Sequence, residues 1–275
     1  MNTIESLVES SEAARTAFVR PLDRSDIQAR TPAALAEAAD PKTSSTYAFL
    51  SSQRVIAALG NAGFVPVSAA QAQARRANLL SARHVIRFRR RYETVTLRDC
   101  IPEILFINAH DGRTAAQFRL ALYRPVCTNG LIVCDDTLPV WRVPHRGNIL
   151  DEIIEAAIRQ SEQFAAVGMF VERMERTMLE EPQRLAFAEA AISLRFPKHN
   201  VLGLQPHKVL EARRPEDVGS SLWKTYNVVQ EAVIKGGLEY RTSANRLMRS
   251  RGIRGIRQDV RLNTELWRNA VALAA

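Results

Sequence analysis

Arg87, Arg89 and Arg91 stand at alternate positions inside a stretch of alternating apolar residues. On an extended strand, side chains two apart share a face at about 7 Å spacing. A planar guanidinium pairs bidentately with phosphate oxygens, so such a row matches the backbone of a single-stranded nucleic acid. Arg75, Arg76 and Arg83 lie just upstream and would extend the row, and Phe88 or Tyr92 would stack on bases if exposed. The competing reading is a solvated sheet face, or one covered by the acidic stretch 149–181 with Asp151, Glu152, Glu155, Glu162, Glu172 and Glu175. A second basic run follows near the end: Arg241, Arg246, Arg249, Arg251, Arg254, Arg257 and Arg261. Gly252 and Gly255 interrupt any helix there, which predicts a flexible segment that tracks phosphates, or else a solvated tail.

Three other constellations carry chemistry-bearing side chains. Cys127-Thr128-Asn129-Gly130 offers a thiol, which becomes a nucleophile only beside a base such as His84, His110 or His145. Asn-Gly is also a turn signal, and a turn with a core cysteine explains the stretch more simply. Asn108-Ala109-His110-Asp111-Gly112 offers a His and an Asp for a metal or proton transfer, but Asp-Gly again reads as a hairpin turn. Trp223, Tyr226 and Gln230 share a helix face that also brings in Asn227 and Glu231, and that face serves either a ligand or a core. Phosphate-loop, dinucleotide, nucleophile-elbow and zinc-protease motifs are all missing, which argues against a motor or a familiar hydrolase. No cofactor or metal is expected.

Composition narrows the class. The 275 residues hold 33 Arg and 5 Lys against 29 Asp+Glu, for a net charge of +9, and 46% are hydrophobic. That apolar content excludes a disordered chain. No apolar run approaches the roughly 20 residues of a membrane helix, and no secretory leader is visible, so a cytoplasmic protein is expected. Cys100, Cys127 and Cys134 cannot all pair and form no Cys-x-x-Cys, which argues against a disulfide or zinc framework. The charge is uneven: +7 within residues 51–100, −3 within 151–200 and +3 in each of the last two segments, 201–250 and 251–275. Such asymmetry points to an anionic partner.

The elements that must hold these residues follow from periodicity. Residues 1–45, interrupted by Pro21, Pro32 and Pro41, read as a loosely packed, mobile arm. Ser51 caps a helix ending at Gly60 or Gly63, a short strand begins at Phe64, and Gln71 to Asn78 is helix-like. Period-two alternation marks strands over His84–Leu97, Glu103–His110, Phe118–Tyr123 and Leu131–Val133, forming an antiparallel meander. From Ile149 the period changes to helical up to about Leu179, then over 185–194, 220–235 and 262–273. The expected fold is α+β: an arm (1–45), a meander sheet with flanking helices (46–148), and a helical region with a basic tail (149–275).

Several segments together resemble a known family. They are Ser45-Thr46-Tyr47; Gly63-Phe64-Val65-Pro66-Val67; His84-Val85-Ile86-Arg87-Phe88; Asn108 through Gly112; and Arg124-Pro125-Val126-Cys127-Thr128-Asn129-Gly130-Leu131. Leu222-Trp223 through Gln230-Glu231, Gly236-Gly237 and Asp259 through Trp267 complete the set. This pattern resembles the plasmid- and phage-borne family of domains of unknown function numbered nine hundred and thirty-two. The resemblance implies no settled activity. It implies carriage on bacterial plasmids or prophages, and hence a role in mobile-element DNA.

The leading expectation is a nucleic-acid-binding protein, with single-stranded DNA binding or annealing as its concrete form. It would use Arg75, Arg76, Arg83, Arg87, Arg89, Arg91, Arg251, Arg254 and Arg257, with homo-oligomerisation along the strand. The alternatives are an enzyme centred on Cys127, His110, Asp111 and Asn129, or a protein that docks on a host protein through the acidic helix or the Trp223 face.

Overall fold

A computed structural model describes residues 20–74, 78–91, 97, 99–125, 129–133, 141–143, 149–196 and 202–275. Arg75, Arg76, Cys127 and the first nineteen residues lie outside them, and for Asn129 and Gly130 the backbone alone is described. The chain forms two compact units. One holds the described residues up to Phe164 except Ile132 and Val133; the other holds those two and Ala165–Ala275.

The first unit is built on an antiparallel meander, as the alternation predicts. Strands β1 (Phe64–Gln71), β2 (His84–Arg90), β3 (Ile101–Asn108) and β4 (Ala116–Arg124) lie side by side in sequence order. β5 (Asn129–Val133) and β6 (Trp141–Val143) both lie beside β4. Register aligns Ile86 with Phe106 and Phe106 with Phe118, so large apolar groups stack across one face. The Phe106 and Phe118 rings sit 5.0 Å apart. Phe64, Phe88 and Ile104 join them, and helices α1 (Arg24–Arg30), α2 (Ser52–Asn61) and α3 (Ile149–Glu162) cover that face with Ile27, Val55, Leu59 and Ala157. Burying each such side chain stabilises the fold by about 1.5–3 kcal/mol. Ser51 caps α2 by accepting from the Arg54 amide, and Gly63 at φ +87° turns the chain from that helix into β1.

Three expectations change here. The arm is docked between residues 22 and 36: Ala33 and Ala34 have no exposed surface, and the Leu22 amide bonds to Pro66 O at 2.7 Å. Small residues that read as loose in sequence are what a close backbone approach requires. Gln71 is not helical; it ends β1 opposite His84, and its side-chain oxygen accepts from the Ala33 amide at 2.8 Å. The long helix from 149 is two, α3 and α4 (Phe164–Arg176), with Gln163 between them. Ser161 Oγ donates to Ile158 O at 2.7 Å, a side-chain bond that competes with the helix ladder just before the break.

The second unit is mainly helical. It contains the remainder of α4 together with α5 (Glu181–Arg195), the short α6 (Pro206–Val209), α7 (Leu222–Lys235) and α8 (Ile256–Ala274). A hairpin of β7 (Glu239–Arg241) and β8 (Leu247–Arg249) connects α7 to α8. Tyr226 of α7 meets Trp267 of α8 edge-on at 5.8 Å and lies parallel to Trp223 at 5.9 Å. The basic tail expected to be flexible is folded. The Ser250 amide bonds to Leu238 O and the Ile253 amide to Ile234 O, both at 2.8 Å. Gly236, at φ +73°, permits this: a Cβ there would lie 2.7 Å from Ser250 O and from the Arg251 carbonyl carbon.

Candidate functional site

Buried polar groups knit the first unit together at His84. Its Nδ1 lies 3.0 Å from Ala82 O, and a carbonyl only accepts, so Nδ1 carries the proton. Nε2 therefore accepts from Ser52 Oγ at 2.8 Å, and Ser52 Oγ in turn accepts from Asn108 Nδ2 at 3.1 Å. Burial, then the adjacent carbonyl and His110, set the balance that lowers the His84 pKa to about 3, so the ring is neutral. His110 lies 5.2 Å away ring to ring, with Nε2 3.0 Å from Ala33 O. A hydroxyl donating to an imidazole is the arrangement of an activated nucleophile. Here Ser52 and His84 have no exposed surface, so no substrate reaches them and the node serves the fold. Asp111 faces the turn instead, accepting from the Arg113 amide at 3.0 Å, and Gly112 at φ +71° packs against Thr43 and Tyr47. Among the described residues, no group of three His, Cys, Asp or Glu is placed to hold a metal.

The arginine row is placed differently from its sequence reading. Arg87 and Arg89 do share a face, but both turn onto one carboxylate: Arg89 Nε lies 2.7 Å from Glu103 Oε1 and Arg87 Nε 3.2 Å from Oε2. Glu103 is 1% exposed and Arg89 7%. The Arg89 guanidinium also lies 4.6 Å from the Tyr123 ring centre. Arg91 is exposed in the turn after β2, its amide bonded to Gly63 O. Arg83 donates to Thr114 Oγ1 at 2.6 Å, and Arg124 pairs with Asp99. Arg90 points to the opposite face, where it reaches Ser161 Oγ at 2.9 Å. The acidic helix α3 packs on that face, not over Arg87 and Arg89. Phe88 has no exposed surface and stacks on no ligand.

The α7 face is core as well. Trp223, Tyr226, Asn227, Gln230 and Glu231 are all buried. Gln230 Nε2 donates to Asn263 Oδ1 at 2.8 Å, and Asn227 Nδ2 to Trp223 O at 2.8 Å. Glu231 takes both terminal nitrogens of Arg214, at 2.6 and 2.5 Å, with Lys235 3.3 Å away. Burial pulls the Glu231 carboxyl upward, but Arg214 and Lys235 outweigh it and hold it below the usual carboxylate range.

The C-terminal arginines present the opposite case. Arg246, Arg249, Arg251, Arg254 and Arg257 are exposed, and among the described residues none has an ion-pairing carboxylate. Arg254 and Arg257 flank the start of α8, where the helix dipole is already positive. Beside the hairpin lies a groove of about 830 Å³ lined by Lys208, Arg213, Lys235, Arg241 and Arg249 against Glu211 and Glu239. Arg213 is absent from the sequence reading. Its neighbour Arg214 is the structural partner of Glu231, and nothing in the Arg-Arg dipeptide tells the two apart.

Fold and site together define an α+β chain of two units, one with the arginines of its sheet face paired to a buried carboxylate and one presenting a series of arginines on its surface. The chain belongs to the family described as "Domain of unknown function (DUF932)", whose profile matches residues 42–267. It is similar to two proteins of Escherichia coli (strain K12). UPF0380 protein YafZ is 33% identical over 258 residues, covering 92% of each chain. UPF0380 protein YfjQ is 33% identical over 252 residues, covering 90% of each. No solved structure matches. No described helix is long and apolar enough to cross a membrane.

Proposed function

We propose that the chain binds nucleic acid, single-stranded DNA in the first place, through exposed arginines of its second unit: Arg246, Arg251, Arg254 and Arg257. The observation that carries this reading is their exposure without any ion-pairing carboxylate among the described residues. Exposed, unneutralised guanidiniums are what a phosphate backbone pairs with, and no nucleotide cofactor is required. The setting we propose, plasmid or prophage DNA, follows from what the family resemblance implies. Arg87 and Arg89 contribute little to this contact, because Glu103 already holds both.

The test is fluorescence anisotropy of a labelled single-stranded oligonucleotide across a salt series. Each phosphate contact contributes about −0.7 to the slope of log K against log salt. The triple variant R251A/R254A/R257A is expected to flatten that slope by about 2 units. An absence of binding at low salt, or a slope unchanged by the triple variant, overturns the proposal.

A further inference from the structure

The Gly236-Gly237 turn at the end of α7 gathers two arginines from distant parts of the second unit. Arg213 Nη2 donates to Gly236 O at 2.7 Å, and Arg249 Nε donates to Gly237 O at 3.3 Å. Gly237 stands at φ +86° with no side chain, and the place where its Cβ would lie is 3.7 Å from Nη2 of Arg213 and 3.7 Å from Nη2 of Arg249. The two terminal nitrogens are therefore no more than twice that distance apart. Charge-assisted bonds of about 2.7–2.9 Å let one phosphoryl group accept from both at such a separation.

The carbonyls orient these guanidiniums without neutralising them, since neither has an ion-pairing carboxylate among the described residues. Of the two acids lining the groove, Glu211 is held by Lys208 at 2.7 Å, and Lys235 is held by Glu231 at 3.3 Å, which leaves Glu239 against Arg213, Arg241 and Arg249. We infer that this groove is a site for a phosphate monoester, with Arg213 and Arg249 as the clamp over Gly237. Charge selects the class. A monoester carries about −1.5 to −2 at neutral pH and matches two cations, whereas a mid-strand phosphodiester carries a single charge. Size agrees, because a groove of about 830 Å³ lies within the range of small-molecule sites and has room for a nucleoside beyond the phosphate. Tyr240, stacked obliquely on Phe196 at 5.5 Å, gives it an aromatic wall.

That chemistry has two sources, a free nucleotide and the 5′-phosphorylated end of a strand. Only the second rests on the nucleic-acid reading above. The experiment uses the full chain at low ionic strength with three probes: one oligonucleotide in 5′-hydroxyl form, the same in 5′-phosphate form, and adenosine 5′-monophosphate followed by calorimetry. A preference of about tenfold or more for the phosphorylated end, lost in R213A and partly kept in R213K, supports the site and assigns it to strand ends. Binding of the mononucleotide that R213A abolishes, without an end preference, supports the site and assigns it to free nucleotides. That result stands even if no oligonucleotide binds, in which case the nucleic-acid proposal fails and the groove remains. Neither an end preference nor mononucleotide binding in the unaltered chain overturns the inference.

Discussion

Arg87 and Arg89 of β2 and Arg251, Arg254 and Arg257 near α8 look alike in sequence and have opposite fates. The first pair lies in a sheet, where register brings a carboxylate from the next strand between them. The second group lies in a loop and a first helical turn, where no neighbouring strand supplies one. Buried cations must be paired because an isolated charge in the interior is very costly, while surface cations carry no such requirement. A basic count therefore becomes evidence of an anionic partner only after the internal partners have been subtracted.

The sharpest way to break this contrast is to remove the shared carboxylate. E103A leaves Arg87 and Arg89 partly buried and unpaired, and urea unfolding is expected to show a loss of about 3–5 kcal/mol. A loss below 1 kcal/mol would mean that the two guanidiniums are solvated, and that the sheet face is as available as the C-terminal surface. Acid provides the next test, through the node that only the first unit contains. Unfolded His84 takes its proton near 6.5, the ordinary value for an imidazole, whereas the folded residue does so only at about 3. Between those values the unfolded chain binds more protons, so stability falls as pH falls. From pH 6.5 to pH 5 the loss is expected to be about 1.6 kcal/mol, and it should vanish in H84Q once that variant's own stability is taken as reference. An identical acid slope in H84Q would remove His84 as the cause. The smallest effect belongs to the exposed cations: R251A is expected to stay within about 0.5 kcal/mol of the unaltered chain in the same urea experiment. A larger loss would show that Arg251 is structural, and would weaken the contrast from the other side.

The sequence was informative about the meander because alternation is local: Ile86 and Phe88 announce a half-buried strand without help from elsewhere. It was uninformative about Glu103 as a partner of Arg87 and Arg89, because pairing depends on register between strands separated by a connection of ten residues. A signal was present, since Glu103 is the sole charged residue in the apolar run Ile101–Asn108. The α7 face shows the same limit: the sequence favours a core role for Gln230 over a ligand contact, but it cannot name the partner, because Asn263 is a distant residue brought opposite only by the fold. The basic tail misled for a physical reason as well. Glycines at 252 and 255 forbid a helix, but a non-helical path held by Ile234 O and Leu238 O is as fixed as a helix.

The close fit of Gly236 against the Ser250–Arg251 backbone has a thermodynamic consequence. Arg195 adds to it by donating to Arg251 O at 2.8 Å, so the chain that carries Arg251 is gripped from α5 as well as from α7. Fixing a backbone residue costs about 1–2 kcal/mol of conformational entropy, and for this loop that loss occurs when the protein folds. The polyanion proposed above would meet a template already set, and its association would not wait for a search through loop conformations.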